Sequence, residues 1–332
     1  MTTMIVSEPL PPRRLSIAPM MNRTDRHFRY LVRLITRCTW LYTEMLVARA
    51  LLHGDPDSLL AHDAAERPLA LQLGGSEPDV LAVAARLAVE HGFDEVNLNV
   101  GCPSSRVTAG RMGACLMGEP DRVADCVAAM RAASNLPITV KTRIGIDERD
   151  DFEFLCGFVE AVSAAGCNAV IVHARKAWLS GLNPKANRTV PRLDYERVYA
   201  LKLRYPSLEI VVNGGIADLD TAAGMLKRTD GVMLGRGAYA DPLLLVEADA
   251  RFYSLHRPAA TLGEVLAGYL DYLARRIGAG DAPAPALRHL STLLNGLAGA
   301  RSVRRRLGAL AGTRDMGAVE RALAPFLTAR AA

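Results

Sequence analysis

Eight times between residues 15 and 236 a short apolar run rich in β-branched residues recurs, each followed by a Gly, Pro or Asn break and a stretch of helical periodicity. The runs cover 15–20, 41–45, 69–73, 95–100, 138–143, 169–175, 209–213 and 231–236, and helix candidates between them include 25–36, 78–91, 121–133, 152–165, 195–204 and 219–227. Eight β-then-α units in about 235 residues match the size of an α/β (β/α)8 TIM barrel. The rival, an open doubly wound sheet, places a glycine-rich phosphate turn after its first strand. Here that turn reads Ala18-Pro19-Met20-Met21, and the glycine-rich corners come late, at Asn213-Gly214-Gly215 and Gly235-Arg236-Gly237. Loops seven and eight are where barrels commonly hold a phosphate.

Beyond residue 255 the alternation stops. Segments 262–277, 286–298, 302–310 and 317–327 read as helices alone, so the chain divides into a loose proline-containing arm (1–12), a barrel (13–255) and a small C-terminal α-helical bundle (256–332). The net charge of +5 sits in that last part: from His256 onward there are eleven Arg, no Lys and five acids, whereas residues 1–255 hold 29 basic and 30 acidic groups. Such asymmetry points to an anionic macromolecular partner.

Several classes are disfavoured. Six cysteines without a C-x-x-C pair or a close Cys/His cluster argue against zinc and for reduced thiols. Cys38, Cys126, Cys156 and Cys167 lie in or beside Ala-, Val- and Leu-rich helical patterns, as small buried hydrophobes do. Arg13-Arg14 resembles an export signal superficially, but the apolar run after it stops at Asn22-Arg23-Thr24-Asp25. No segment approaches the roughly 20 apolar residues that cross a bilayer, so the cytoplasm is the expected compartment and no membrane is expected as partner.

In a barrel the chemistry lies at the C-terminal ends of the strands. That rim collects Met20, Glu44, Gln72, Asn97, Asn99, Cys102, Lys141, Arg143, His173, Arg175, Asn213 and Arg236. Strand residues alternate faces, so Asn97 and Asn99 share a side, and Gly101 and Pro103 bend the backbone to aim Cys102 off the strand end. A phosphate on loops seven and eight, a cation at Lys141, an amide at Gln72 and an apolar shelf at Pro19-Met20 suit a flat, phosphate-tailed ring such as flavin mononucleotide (FMN). On periodicity alone a sugar phosphate suits them as well.

These strings closely resemble the FMN-dependent tRNA-dihydrouridine synthases: Ala18-Pro19-Met20, Tyr42-Thr43-Glu44-Met45, Gln72-Leu73-Gly74, Asn97 to Pro103, Lys141-Thr142-Arg143-Ile144-Gly145, His173-Ala174-Arg175, Asn213-Gly214-Gly215 and Gly235-Arg236. Thr24-Asp25-Arg26-His27, Gly113 to Met117 and His173 to Leu182 are similar to the bacterial A subfamily, associated with uridines 20 and 20a of the tRNA D-loop. The resemblance implies that Pro19, Met20, Met21, Gln72, Lys141, His173, Asn213, Gly214, Gly215, Gly235 and Arg236 hold FMN, with NADPH as reductant. It implies Cys102 as the catalytic acid, Asn99 and Arg143 facing the target uracil, and Lys185, Arg188, Arg301 and Arg304 contacting tRNA.

Reduction of uracil needs a hydride at C6, which is conjugated with the C4 carbonyl, and a proton at C5. An unperturbed thiol, pKa about 8.5, is mostly protonated near neutrality and able to give that proton. A stacked uridine must first be turned out of the RNA. Arg301, Arg304 and Arg305, at i, i+3 and i+4, share one side of a helix suited to phosphates. Two other readings remain: an FMN barrel acting on a free small molecule, dihydroorotate dehydrogenase-like or ene-reductase-like, which needs no arginine-loaded tail, and a noncatalytic tRNA-binding scaffold, which needs neither Cys102 nor Lys141. A monomer without DNA as partner is the expectation.

Overall fold

The computed structural model describes residues 9–327; most of the arm 1–12 and the last five residues of 256–332 lie outside them. The strands are β1 (Leu15–Ile17), β2 (Leu41–Tyr42), β3 (Leu46–Val47), β4 (Leu69–Gly74), β5 (Glu95–Val100), β6 (Ile138–Arg143), β7 (Ala169–His173), β8 (Glu209–Asn213) and β9 (Gly231–Leu234). All pair in parallel in the order β1-β9-β8-β7-β6-β5-β4-β2, with β3 beside the end of β4. The ring closes where Trp40 meets β1: the Ile17 N–H donates to the Trp40 carbonyl at 2.8 Å and the Trp40 N–H to Leu15 at 3.0 Å. The result is the expected eightfold barrel.

Two strands differ from the sequence reading for backbone reasons. β1 ends at Ile17, because Pro19 has no N–H to offer the ladder. The run 41–45 is strand only over β2, because the Gln72 N–H donates to the Thr43 hydroxyl (3.0 Å) in place of a carbonyl, and pairing with β4 resumes beyond the run in β3. Short helices at Ser105–Ala109 and Gly113–Gly118, directly after the Gly-Cys-Pro corner, are too brief to leave a periodic pattern.

Alternation sorts the side chains into two cores. Leu69, Leu71 and Leu73 of β4 and Val96, Leu98 and Val100 of β5 are buried in the layer that also takes the apolar faces of helices such as Pro78–Glu90 and Pro120–Ala133. Inside the ring the apolar filling is small: Ala18, Trp40, Tyr42, Ala70, Ile171, Val211 and Met233. The rest of the interior is polar. At its floor Arg13 pairs with Glu95, and with Glu209 at 2.6 Å, while Tyr42 donates to Glu95 at 2.9 Å.

The helical unit comprises Leu262–Gly278, Pro283–Leu293, Ala300–Ala309 and Met316–Leu327. Its second helix begins three residues before position 286, since Pro283 fits a first turn. It stops at Leu293, ahead of Gly296 and Gly299, whose φ values of +80° and +76° break helical geometry. Asp25 joins the unit to the barrel. Its carboxylate caps helix Arg26–Ile35 by accepting from the N–H groups of His27 (3.1 Å) and Phe28 (3.0 Å), and also accepts from His289 (2.9 Å) and Arg288 (2.6 Å). Burial alone would raise its pKa; the His289 contacts and the cap outweigh burial and lower it to about 2. A second tie runs from Asn295 Nδ2 to the carbonyl of Ala240 at 3.1 Å, at the end of the short helix that starts at Arg236. Among the described residues no helix is long and apolar enough to cross a membrane, and no group of acidic, His and Cys side chains is arranged to hold a metal ion.

Candidate active site

The Gly-Cys-Pro corner leaves β5 at the rim and is held by its backbone. Asn99 Oδ1 accepts from the N–H groups of Gly101 (3.1 Å) and Cys102 (3.0 Å), and Arg143 Nε donates to the Gly101 carbonyl at 3.1 Å. The Cys102 carbonyl accepts from the Ala114 N–H at 2.9 Å. Four hydrogen bonds thus fix the corner and leave the Cys102 side chain partly open. Arg143 is buried at 3% exposure, and its Nη1 also serves the carbonyls of Lys176 (3.2 Å) and Asn187 (3.0 Å).

Lys141, two residues before Arg143 on β6, donates from Nζ to Asn213 Oδ1 at 3.1 Å, while Asn213 Nδ2 donates to the Met233 carbonyl at 2.7 Å. Burial, then the neighbouring Arg143, pulls Lys141 down to about 7. His173 is held well below its ordinary value by burial and then by Arg143, Lys141, Arg175 and Arg236, so it is neutral here. Cys102 lies within electrostatic reach of Lys141, Arg143 and Arg188. Among the described residues, none of Lys141, Arg143, Arg175, Arg188 and Arg236 forms an ion pair with a carboxylate. Cations gathered without counter-charge make a mouth that favours anions.

The turns after β8 and β9 suit a phosphate. Gly214 has φ +119°, and a Cβ there would sit 2.5 Å from the ring of His173; at Gly215, with φ +72°, it would sit 2.6 Å from Leu193. Tyr195 donates from its hydroxyl to the Gly214 carbonyl at 2.6 Å and so fixes the turn. The N–H groups of Gly214, Gly215, Gly235 and Arg236 donate to no acceptor among the described residues, which leaves them free for oxygen atoms of a ligand. Met20 packs by the turn, its sulfur 3.9 Å from where a Gly235 side chain would start, and the Met20 N–H is tied to the Thr24 hydroxyl at 2.9 Å. Pro19 lies at the mouth beside it, whereas Met21 turns outward with 58% exposure. Gln72, 1% exposed, points into the barrel and contacts Asn97 and Asn99. These residues fit a phosphate-tailed flavin: free N–H donors, an apolar shelf, an amide and a cation.

The remaining residues expected at the site lie farther out. Lys185 and Arg188 are exposed on the loop after β7, and the Arg188 carbonyl accepts from Arg236 at 3.2 Å. Arg301 is exposed on helix Ala300–Ala309; Arg304, half-buried, donates to Asn295 at 2.8 Å and is thereby linked to Ala240. Sequence reasoning missed Asn187, which is fully buried and binds Trp178 through its backbone N–H and carbonyl, organising the loop that carries Lys185 and Arg188. It also missed Arg13, Thr139 and Glu209, whose interior partners lie 42 to 196 residues away in the chain.

Comparison with solved structures adds the fold. A Zymomonas mobilis old yellow enzyme homologue matches with TM-score 0.54 and 12% identity, covering 78% of this chain and 95% of that one. A 2-naphthoyl-CoA reductase matches with the same TM-score and identity over 71% of this chain and 49% of the other. Sequence relatives are far nearer. The tRNA-dihydrouridine(20/20a) synthase of Vibrio cholerae is 50% identical over 314 residues, 94% of this chain and 96% of its own. That of Synechocystis is 51% identical over 293 residues, 88% of each. The dihydrouridine synthase (Dus) family model spans residues 16–328, nearly the whole described chain, and with relatives at half identity over full length it follows that this chain belongs to the dihydrouridine synthase family.

Proposed function

We propose that this chain is an FMN- and NADPH-dependent oxidoreductase that reduces uridine to 5,6-dihydrouridine in tRNA, at D-loop positions 20 and 20a, the positions given in its relatives' names. The observation that carries the reading is the set of cations at the barrel mouth, paired with no carboxylate among the described residues and gathered around the Cys102 corner. When bound, reduced FMN provides the hydride for C6 of uracil, with NADPH as the source of reducing equivalents. Lys141 and the free N–H groups of the Gly214-Gly215 and Gly235-Arg236 turns hold the cofactor's anionic parts, and Pro19, Met20, Gln72, His173 and Asn213 complete its seat, with the outward-turned Met21 outside it. Asn99 and Arg143 face the turned-out base, and the Cys102 thiol delivers the proton to C5.

On this reading residues 13–255 are the catalytic barrel and 256–332 the tRNA grip, in a protein acting as a cytoplasmic monomer. Lys185 and Arg188 on the loop after β7 and Arg301 and Arg304 on the helical unit meet phosphates. The test is direct: the purified protein should be yellow, bleach with NADPH, and regain colour faster with unmodified tRNA than with free uridine or dihydroorotate. Faster recovery with either small molecule would replace this reading with that of a small-molecule FMN oxidoreductase.

A further inference from the structure

An unbroken series of side-chain hydrogen bonds crosses the barrel from floor to rim. Glu95 pairs with Arg13 and accepts on Oε1 from the hydroxyls of Tyr42 (2.9 Å) and Thr139 (2.5 Å). Thr139 in turn faces Asn97 Nδ2 at 2.8 Å, Asn97 Oδ1 faces Gln72 Nε2 at 2.8 Å, and Gln72 Oε1 faces Asn99 Nδ2 at 2.9 Å. Asn99 Oδ1 then receives the Gly101 and Cys102 N–H groups. Glu95, Asn97 and Thr139 are wholly buried, Gln72 is 1% exposed and Asn99 9%.

The direction of this series is fixed at both ends: at the rim the Gly101 and Cys102 N–H groups can only donate to Asn99, and at the floor the constraint comes from Glu95. An ion-paired carboxylate only accepts, so Thr139 spends its single proton on Glu95 and has only lone pairs left for Asn97. Asn97 must therefore present its NH2 to Thr139 and its oxygen to Gln72. Gln72 must present NH2 to Asn97 and oxygen to Asn99, which leaves the oxygen of Asn99 for the catalytic corner. Reversing any amide would set donor against donor or acceptor against acceptor inside a dry barrel, where unmet polar groups are most destabilising.

We infer that Glu95, Thr139 and Asn97 are positioning residues: the floor carboxylate, about 13 Å down the strand, orients Asn97 and Gln72 in the same sense that the Gly101 and Cys102 N–H groups require of Asn99, and this agreement from both ends holds Gln72, Asn99 and the Cys102 corner in place. The inference rests on the reading above only in calling that corner catalytic. Nothing in the floor touches the reacting atoms, and Thr139 reads from sequence as an ordinary strand threonine.

Thr139→Val keeps the shape and removes the hydroxyl; Thr139→Ser keeps the hydroxyl. In the full-length holoprotein, the valine variant should slow tRNA-dependent flavin reoxidation about tenfold, the size expected when the buried Asn97 donor loses its acceptor, while NADPH-dependent reduction stays within twofold of wild type. In the flavin-free protein it should raise the rate at which iodoacetamide alkylates Cys102, read by peptide mass spectrometry, at least threefold. The serine variant should match wild type in both. Equal behaviour of the two variants, or a valine variant unchanged in both, overturns the inference. Should the valine variant not fold, a neutron structure of the native protein decides: a Thr139 hydroxyl deuteron directed at Glu95 with Asn97 Nδ2 deuterons directed at Thr139 supports the relay, and a Thr139 deuteron directed at Asn97 ends it. Alkylation and neutron readouts need no tRNA, so a wild-type protein that ignored tRNA would sink the functional reading while leaving the relay standing or falling by itself.

Discussion

The two ends of one barrel treat buried charge in opposite ways. At the floor Arg13 has two carboxylates, Glu95 and Glu209, and the face of Trp40 4.9 Å from its guanidinium carbon. Tyr42, its pKa raised well above the ordinary value by burial and then by Glu95, stays protonated and donates. At the mouth Lys141 and Arg143 have neutral partners only, among the described residues, and burial drives both down, to about 7 and about 10. A compensated cluster is finished when the chain folds. An uncompensated one is finished by a ligand, and this difference separates a structural end from a working end more clearly than residue type does.

The largest expected effect lies at the mouth. Cys102→Ala should lower tRNA-dependent flavin reoxidation by about 10²–10⁴-fold, the range of general acid catalysis, with NADPH-dependent bleaching intact in stopped-flow absorbance; equal turnover would remove Cys102 from the mechanism. Next comes the floor, where Arg13→Met strands two carboxylates: unfolding in urea should show a loss of about 3–5 kcal/mol. Lys141→Met, which removes a cation lacking a counter-charge, should change stability in the other direction, adding about 1 kcal/mol to the flavin-free protein at pH 6, even as FMN affinity falls. A floor-like loss at Lys141 would erase the contrast.

Titration sharpens it. Lys141 titrates near 7 in the fold and about 10.4 in the unfolded chain, so between those values the unfolded chain holds the additional proton and stability of the flavin-free fold rises with pH. An anionic cofactor favours charged Lys141, so binding takes up a proton and FMN affinity should fall from pH 7 to pH 9, with a flatter profile in Lys141→Met, by fluorescence titration. The smallest effect belongs to the exposed helix: replacing Arg301 and Arg304 by Gln should reduce the salt dependence of tRNA affinity by up to about 2 in log–log slope. Flavin reduction should not change.

The mouth was legible in the sequence because its residues sit at the ends of runs that alternate. His173 and Asn213 close their strands, Asn97, Asn99 and Lys141 lie on β5 and β6 at positions whose facing direction the period fixes, and β5 to β8 fall within two residues of the expected bounds. The floor was not legible. Glu95 looks like the first residue of a strand, Arg13 like half of an Arg-Arg pair, and nothing local links them across 82 residues to each other or to Glu209. Arg143 shows a subtler gap: its strand-end position was read, but not that three backbone carbonyls occupy its Nε and Nη1, because loop carbonyls leave no trace in residue type. Helix edges in the C-terminal unit moved by up to five residues where Pro283 and the positive-φ glycines, not apolar spacing, set the stops.

Asp25 belongs at once to the barrel's first helix and to the helical unit, since the carboxylate that caps Arg26–Ile35 also receives His289 and Arg288. Pulling the two bodies apart would strip that carboxylate of both partners and expose the aromatic layer of Phe28, Tyr239 and His289. The molecule is in this sense a caliper with a welded gap: one jaw carries the thiol, the other the arginines, and the span between them is set when the chain folds. If the proposed roles of Cys102 and the arginines hold, an RNA laid across such a tool would be gauged by its own shape, and the nucleotide to meet the thiol would be the one standing at that fixed distance from the grip.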